Sequence, residues 1–256
     1  MDLGLKNKVV IITGGARGIG AGITEVFAQE GSNIIMNYHT HQEESEAYAK
    51  ELSEKYGVKI VPVQGDVGKE EDILKLFDEA YKQFGTVDCL INNAYPFGNS
   101  YGAFENFNVE TYRRSEQGSV EAVMIGCREL IKHCKEEQKD GHIVNVLSKA
   151  CFWTSSFNNS DYITNKGAIA SLTRGLAHEF AKERIWINGI IPGFVHNSRF
   201  NPETADYKRR ANLIPLKRFA EPIEMGYMCA FLCSDKSAQT NGTFIDCTGC
   251  MMAGQF

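Results

Sequence analysis

A chain of 256 residues that is 43% hydrophobic and 23% charged carries enough apolar side chain to bury a large core, and chains of this size often do so in one domain. Its formal net charge of -5, without a Lys/Arg run, lacks the footprint that nucleic acid or an anionic membrane surface requires, so small molecules are the expected partners. No stretch is long and apolar enough to span a bilayer, Leu5-Lys6-Asn7-Lys8 runs into an apolar strand without a signal-peptide pattern, and the 8 cysteines are scattered as in a reducing compartment; a cytoplasmic location is expected.

Short β-branched runs alternate with longer helical patterns, the signature of a parallel sheet covered on both faces. Strands are expected over Val9 to Thr13, Asn33 to Tyr38, Lys59 to Gln64, Val87 to Asn92, His142 to Leu147, Ile185 to Ile191 and Thr243 to Asp246. The first strand ends in Thr13-Gly14-Gly15-Ala16-Arg17-Gly18-Ile19-Gly20 and a helix follows. Glycines there permit a tight turn and close backbone approach, while the positive end of the helix attracts a diphosphate. The second strand ends Asn37-Tyr38-His39, without the carboxylate that would bond a ribose 2′-hydroxyl and repel a 2′-phosphate, and Arg17 supplies a guanidinium. The third leads into Asp66-Val67, where Asp66 could equally cap a helix that carries Ile73, Leu76, Phe77, Ala80, Tyr81 and Phe84 at amphipathic spacing.

The fourth strand runs into Asn92-Asn93-Ala94-Tyr95 and the fifth into Asn145-Val146-Leu147-Ser148. Tyr162 and Lys166 lie one helical turn apart, so an ammonium can stabilise phenolate and draw a phenol, ordinarily near pKa 10, toward neutrality, where it serves as acid and base. The sixth strand ends in Pro192-Gly193-Phe194-Val195, and residues 194–213, polar and carrying Pro202, read as a loop with a short helix suited to a lid. Cys247-Thr248-Gly249-Cys250 has no second ligand pair, so it reads as a turn and no metal site is expected.

In this order the motifs resemble the short-chain dehydrogenase/reductase family from about Asn7 to Gly249. The resemblance implies a doubly wound, Rossmann-type α/β fold: one dinucleotide-binding and catalytic domain with a seven-stranded parallel sheet, helices on both faces and the lid near 194–213. It implies NADP(H) as cofactor, held by Gly14, Gly15, Ala16, Arg17, Gly18, Ile19, Gly20, Tyr38, His39, Asp66, Val67, Asn93, Ala94, Tyr162, Lys166, Pro192, Gly193 and the Val195 backbone. Ser148 would bond the substrate oxygen, although its distance to Tyr162 is one residue longer than usual and puts Lys149 at the strict spacing. Asn197 or Ser198 stands where Thr is commoner, Tyr95 where Gly is usual, and Ser119 where an Asn normally holds a relay water. Some bile-acid-type hydroxysteroid dehydrogenases share the last two departures.

Family analogy implies a homotetramer or homodimer and an alcohol or ketone as substrate. Loop aromatics Tyr95, Phe97, Tyr101, Phe104, Phe152, Trp153, Phe157, Phe194 and Phe200 favour a hydroxysteroid or another bulky apolar molecule. Lys208, Arg209 and Arg210 would instead suit a 3-oxoacyl-thioester reductase that meets an acidic carrier. A non-enzymatic NADP(H) sensor on the same fold is the rival outside catalysis.

Overall fold

A computed structural model describes residues 1–96, 102–152, 158–197 and 201–252. Seven strands form one parallel sheet: β1 (Val9–Ile12), β2 (Asn33–Tyr38), β3 (Ile60–Gln64), β4 (Cys89–Asn92), β5 (Gly141–Val146), β6 (Ile185–Pro192) and β7 (Phe244–Cys247). Their spatial order is β3-β2-β1-β4-β5-β6-β7. Ends differ from the expected ones by a residue or two, as when β7 begins at Phe244 rather than Thr243.

The near-continuous apolar runs follow from burial on both faces. In β1, Val9 and Ile11 enter one core while Val10 and Ile12 enter the other. The first core joins the sheet to α3 (Glu70–Phe84), α5 (Ala122–Glu136) and α6 (Ser160–Phe180). The second joins it to α1 (Gly18–Gln29), α2 (Gln42–Tyr56) and α8 (Pro222–Leu232). Helices α1 and α8 pack backbone to backbone, since a β-carbon on Gly22 would come within 2.2 Å of the Pro222 carbonyl carbon. In α3 the expected stripe is buried at Ile73, Leu76, Phe77 and Ala80, with Tyr81 half-exposed.

Two short helices complete the chain: α4 (Val109–Glu116), continued by a π-helical turn over Gln117–Glu121, and α7 (Ala205–Leu213) inside the expected lid. Because β2 and β4 flank β1, the chain leaves β1 toward one edge and β4 toward the other. The carboxyl ends of these two strands therefore border the crevice in which open α/β sheets bind ligands. Among the described residues, no helix is long and apolar enough to cross a membrane.

Candidate active site

The turn after β1 is stitched from both sides. Thr13, buried, accepts through Oγ1 from the backbone N–H groups of Asn93 at 2.9 Å and Ala94 at 3.0 Å. The Asn93 amide donates back to the carbonyls of Thr13 at 3.0 Å and Gly14 at 3.1 Å. From β2, Asn37 accepts the Gly14 N–H on Oδ1 at 3.0 Å and donates to the Gly65 carbonyl at 3.0 Å. Asn37 was not among the expected site residues; its signal in the sequence is a polar side chain inside an apolar strand.

This lacing brings the backbone so close that a β-carbon on Gly20 would lie 2.0 Å from the Gly14 carbonyl oxygen. Gly18 takes a φ of 53°, which favours glycine, and a β-carbon there would meet nothing within 4 Å. No side chain caps α1, so its first-turn N–H groups and positive dipole end can serve an anion. Ala16 and Ile19 anchor the turn against the second core. These residues fit a dinucleotide diphosphate.

Arg17 is exposed, with Nη2 at 3.5 Å from Thr40 Oγ1, and His39 is exposed beside Thr40. Tyr38 differs: it is buried, and its phenol bonds Glu46, so burial and that carboxylate push its pKa up. The exposed polar rim is therefore Arg17, His39 and Thr40, with Tyr38 buried behind it. Asp66 does not cap α3, whose flanking residue is Lys69; its Oδ1 accepts the Gly68 N–H at 2.9 Å in a tight turn, and Val67 packs against the first core.

At the end of β5, Asn145 is fully buried; it accepts from Asn92 at 2.9 Å and donates to Thr173 at 2.9 Å, so its work is to lock β4, β5 and α6 together. Ser148 follows, accepting the Ala150 N–H at 3.2 Å and bonding the Tyr162 phenol. Lys166 is buried, and its Nζ donates to the Val146 carbonyl at 2.6 Å. Burial pushes Tyr162 up to about 12 and Lys166 down to about 8. The downward pull expected on the phenol is thus outweighed in the free protein, because the ammonium is turned to a backbone carbonyl in a region that penalises both charged forms.

Tyr95 touches both members of this pair: its ring meets Tyr162 edge-on at 4.9 Å, and Lys166 Nζ lies 5.2 Å from its centre. Its hydroxyl pairs with Ser115 Oγ at 3.1 Å, which also accepts from Asn165 at 3.0 Å. Ser115 escaped the sequence reading, since one serine in a polar helix carries no signal. Ser119 is buried in the π-helical turn and donates to the Ser115 carbonyl.

Gly193 follows β6 against Thr248, whose Cα would lie 2.9 Å from an added β-carbon. Val195 pairs with Ala220, and its carbonyl accepts from Asn197 at 3.3 Å. Within the segment expected to form a lid, Phe194, Tyr207 and Ala211 share an apolar cluster with Ile214, Phe219 and Met251, and Tyr207 bonds His196 at 2.7 Å. Of the expected pocket aromatics, Phe104 is exposed, Phe152 packs on Phe244 and Phe194 stacks on Phe219. Phe97, Tyr101, Trp153, Phe157, Ser198 and Phe200 lie outside the described residues. All cysteines, Cys247 and Cys250 included, are free, and the described residues contain no metal-binding cluster.

A doubly wound sheet with a nucleotide turn and a Ser-Tyr-Lys cluster at its carboxyl edge defines a dinucleotide-dependent oxidoreductase. The short chain dehydrogenase family model matches residues 8–208, and the chain belongs to that family. It is an oxidoreductase of alcohol and ketone groups. It is 33% identical over 251 residues to 3beta-hydroxysteroid dehydrogenase 1 of Eggerthella lenta, covering 94% of this chain and 93% of that one. Against 3-oxoacyl-[acyl-carrier-protein] reductase of Aquifex aeolicus it is 32% identical, covering 98% and 100%. The structure of L-sorbose reductase from Gluconobacter frateurii, complexed with NADPH and L-sorbose, superposes with a TM-score of 0.90 at 26% identity, covering 99% of both chains.

Proposed function

We propose that this protein is an NADP(H)-dependent reductase/dehydrogenase that interconverts a secondary alcohol and a ketone on a hydroxysteroid or another bulky apolar substrate, within one dinucleotide-binding and catalytic domain whose lid spans about 194–213. The observation that carries the reading is the Tyr162 phenol bonded to Ser148, with Lys166 buried one turn away. NADP(H), when bound, supplies or takes the hydride. The turn Gly14, Gly15, Ala16, Arg17, Gly18, Ile19 and Gly20 holds the diphosphate; Asp66 and Val67 border the adenine; Asn93, Ala94, Pro192, Gly193 and Val195 border the nicotinamide half.

In reduction, Ser148 Oγ donates a hydrogen bond to the substrate carbonyl oxygen and Tyr162 Oη gives that oxygen its proton. Lys166, cationic below about pH 8, offsets the negative charge left on the phenol and bonds the ribose. Ser119, whose hydroxyl is bonded to the Ser115 carbonyl, contributes modestly at most to the resupply of that proton. Arg17 supports the preference for a 2′-phosphate, because a guanidinium can bond it twice and no carboxylate follows Tyr38 at His39 or Thr40.

The relatives include a thioester reductase, but the basic surface that an acidic carrier needs is largely answered within the lid. Asp206 pairs Arg209 at 2.7 Å and Arg210 at 2.6 Å, and Glu203 lies 3.6 Å from Lys208. This favours a bulky apolar substrate over one borne by an acidic carrier. Free thiols throughout support a reducing, cytoplasmic location. A homodimer or homotetramer is proposed through the groove between α5 and α6, about 530 Å³ and lined by Met124, Ile131, Leu172, Leu176 and Phe180, an apolar face that two-fold pairing can bury.

The test is NADPH oxidation with steroid ketones, acyl-thioester mimics and short linear ketones side by side, with both cofactors titrated by nicotinamide fluorescence. Steroid-sized ketones should give the highest kcat/KM, and NADPH should bind about tenfold tighter than NADH, a preference that Arg17→Ser abolishes. Better turnover of short ketones refutes the bulky pocket, and cofactor binding without any turnover favours the sensor.

A further inference from the structure

The tyrosine that replaces a family glycine sits at the centre of the catalytic pair. Lys166 is a buried cation, and among the described residues no carboxylate forms an ion pair with it. Its Nζ has the Val146 carbonyl on one side, at 2.6 Å, and the Tyr95 ring on another, at 5.2 Å. A desolvated ammonium within about 6 Å of a ring centre is attracted by the negative face of the ring, more strongly than at a wet surface.

The same ring meets Tyr162 at 81°, the edge-on arrangement that aromatic pairs prefer. One flat group therefore bears on both acid and cation. It is also held at its far end: Tyr95 Oη pairs with Ser115 Oγ, and Asn165, on the helix that carries Tyr162 and Lys166, donates to that serine. Asn165 is fully buried, and among the described residues its Oδ1 has no hydrogen-bond partner, while its nitrogen bonds Ser115.

We propose that Tyr95 is a positioning residue for the reaction, its ring seating the Lys166 ammonium and the Tyr162 phenol and its hydroxyl tying that seat through Ser115 to α4. The role rests on Tyr162 and Lys166 being the acid/base pair. Other groups face the pair as well. Cys151 lies beside both from the turn after β5, and its Sγ donates to the Lys166 carbonyl at 3.2 Å. Asp161 on α6 and Tyr112 on α4 act on Tyr95 electrostatically. None of these supplies a ring against the ammonium.

Removing the ring makes the Lys166 cation less stable, which lowers its pKa further below about 8. The falling limb of the pH profile for reduction, which follows loss of the Lys166 proton, then moves downward by about one unit, the size expected of a buried cation–ring contact. The experiment compares the parent enzyme with Tyr95→Leu, Tyr95→Phe and Tyr162→Phe on the ketone that the parent reduces fastest, at saturating NADPH from about pH 6 to pH 10, with folding checked by circular dichroism. Tyr95→Leu should lower kcat about tenfold or more with KM changed less than about threefold and the limb shifted; Tyr95→Phe, which keeps the ring, should recover most of the loss and return the limb.

A Leu variant that overlays the parent overturns the proposal. So do equal losses in Leu and Phe with unmoved limbs, the mark of packing alone. If Tyr95→Leu does not fold, Tyr95→Met, closer in length and still without a ring, is read by the same criteria. A Tyr162→Phe enzyme as fast as the parent sinks the acid/base reading itself, and the role of Tyr95 with it.

Discussion

Ser119 shows how a side chain can stand at a catalytic address with its hydroxyl turned elsewhere. Its hydrogen bond to the Ser115 carbonyl ties it to its own helix, a local partner that serines in helices often take. Ser115, one turn earlier, is the serine whose hydroxyl reaches Tyr95 and Asn165. Ser119→Ala should therefore lower kcat by roughly tenfold or less, against a hundredfold or more for Tyr162→Phe, with NADPH affinity kept in both. Steady-state rates at saturating NADPH check this, and comparable losses would make Ser119 essential. The spacing of Tyr162 and Lys166 was legible because one helical turn fixes which face they share. The direction of their pKa values was not, because burial is a tertiary quantity: the depth that makes the cation useful also holds the phenol up at about 12.

Among the elements, the apolar stripe of α3 declared itself by periodicity, and the strands β1, β2, β4, β5 and β6 by their short apolar, β-branched runs. The polar clasps that close the sheet edge did not, since they join residues far apart in sequence. One such clasp lies where α5 meets the start of β4. His133 is nearly buried, and its Nε2 accepts the Val87 N–H at 3.2 Å, which requires an unprotonated nitrogen. Burial first, and then Lys139, lowers its pKa below the ordinary 6.5. The sign follows from linkage: below 6.5 the unfolded chain takes the proton before the folded one, so stability falls with acid until the depressed folded value is passed. Thermal unfolding should show Tm dropping as the pH falls below 6.5. His133→Gln should lower Tm at neutral pH and flatten that slope, only in part because His142 is depressed by burial too. An unchanged slope would place the acid sensitivity elsewhere.

For the molecule as a whole, the order of motifs along the chain was enough to read the parallel sheet and the family, while the strand order came from the structure. The substrate was not readable in the same way, because five of the nine aromatics expected around the pocket fall outside the described residues and Phe104, Phe152 and Phe194 face solvent or other packing. The apolar groove between α5 and α6 is the surface from which assembly can be tested. Met124, half-exposed at its rim, should be buried in a dimer, so Met124→Glu should reduce the mass measured by light scattering to that of a smaller assembly while NADPH binding persists. An unaltered mass would exclude this face. The lid adds a different kind of freedom. The start of the expected lid segment is joined to the chain that follows it, with His196 N–H bonded to the Ala220 carbonyl and Ala220 N–H to the Phe194 carbonyl, each at 2.9 Å. Beyond that neck, Tyr207, Ala211 and Ile214 pack with Phe194, Phe219 and Met251 in a small apolar cluster apart from the two main cores. Such a loop is a cassette: evolution can rewrite its sequence or length for a new alcohol while the sheet, the turn that grips the cofactor and the proton chemistry are inherited unaltered.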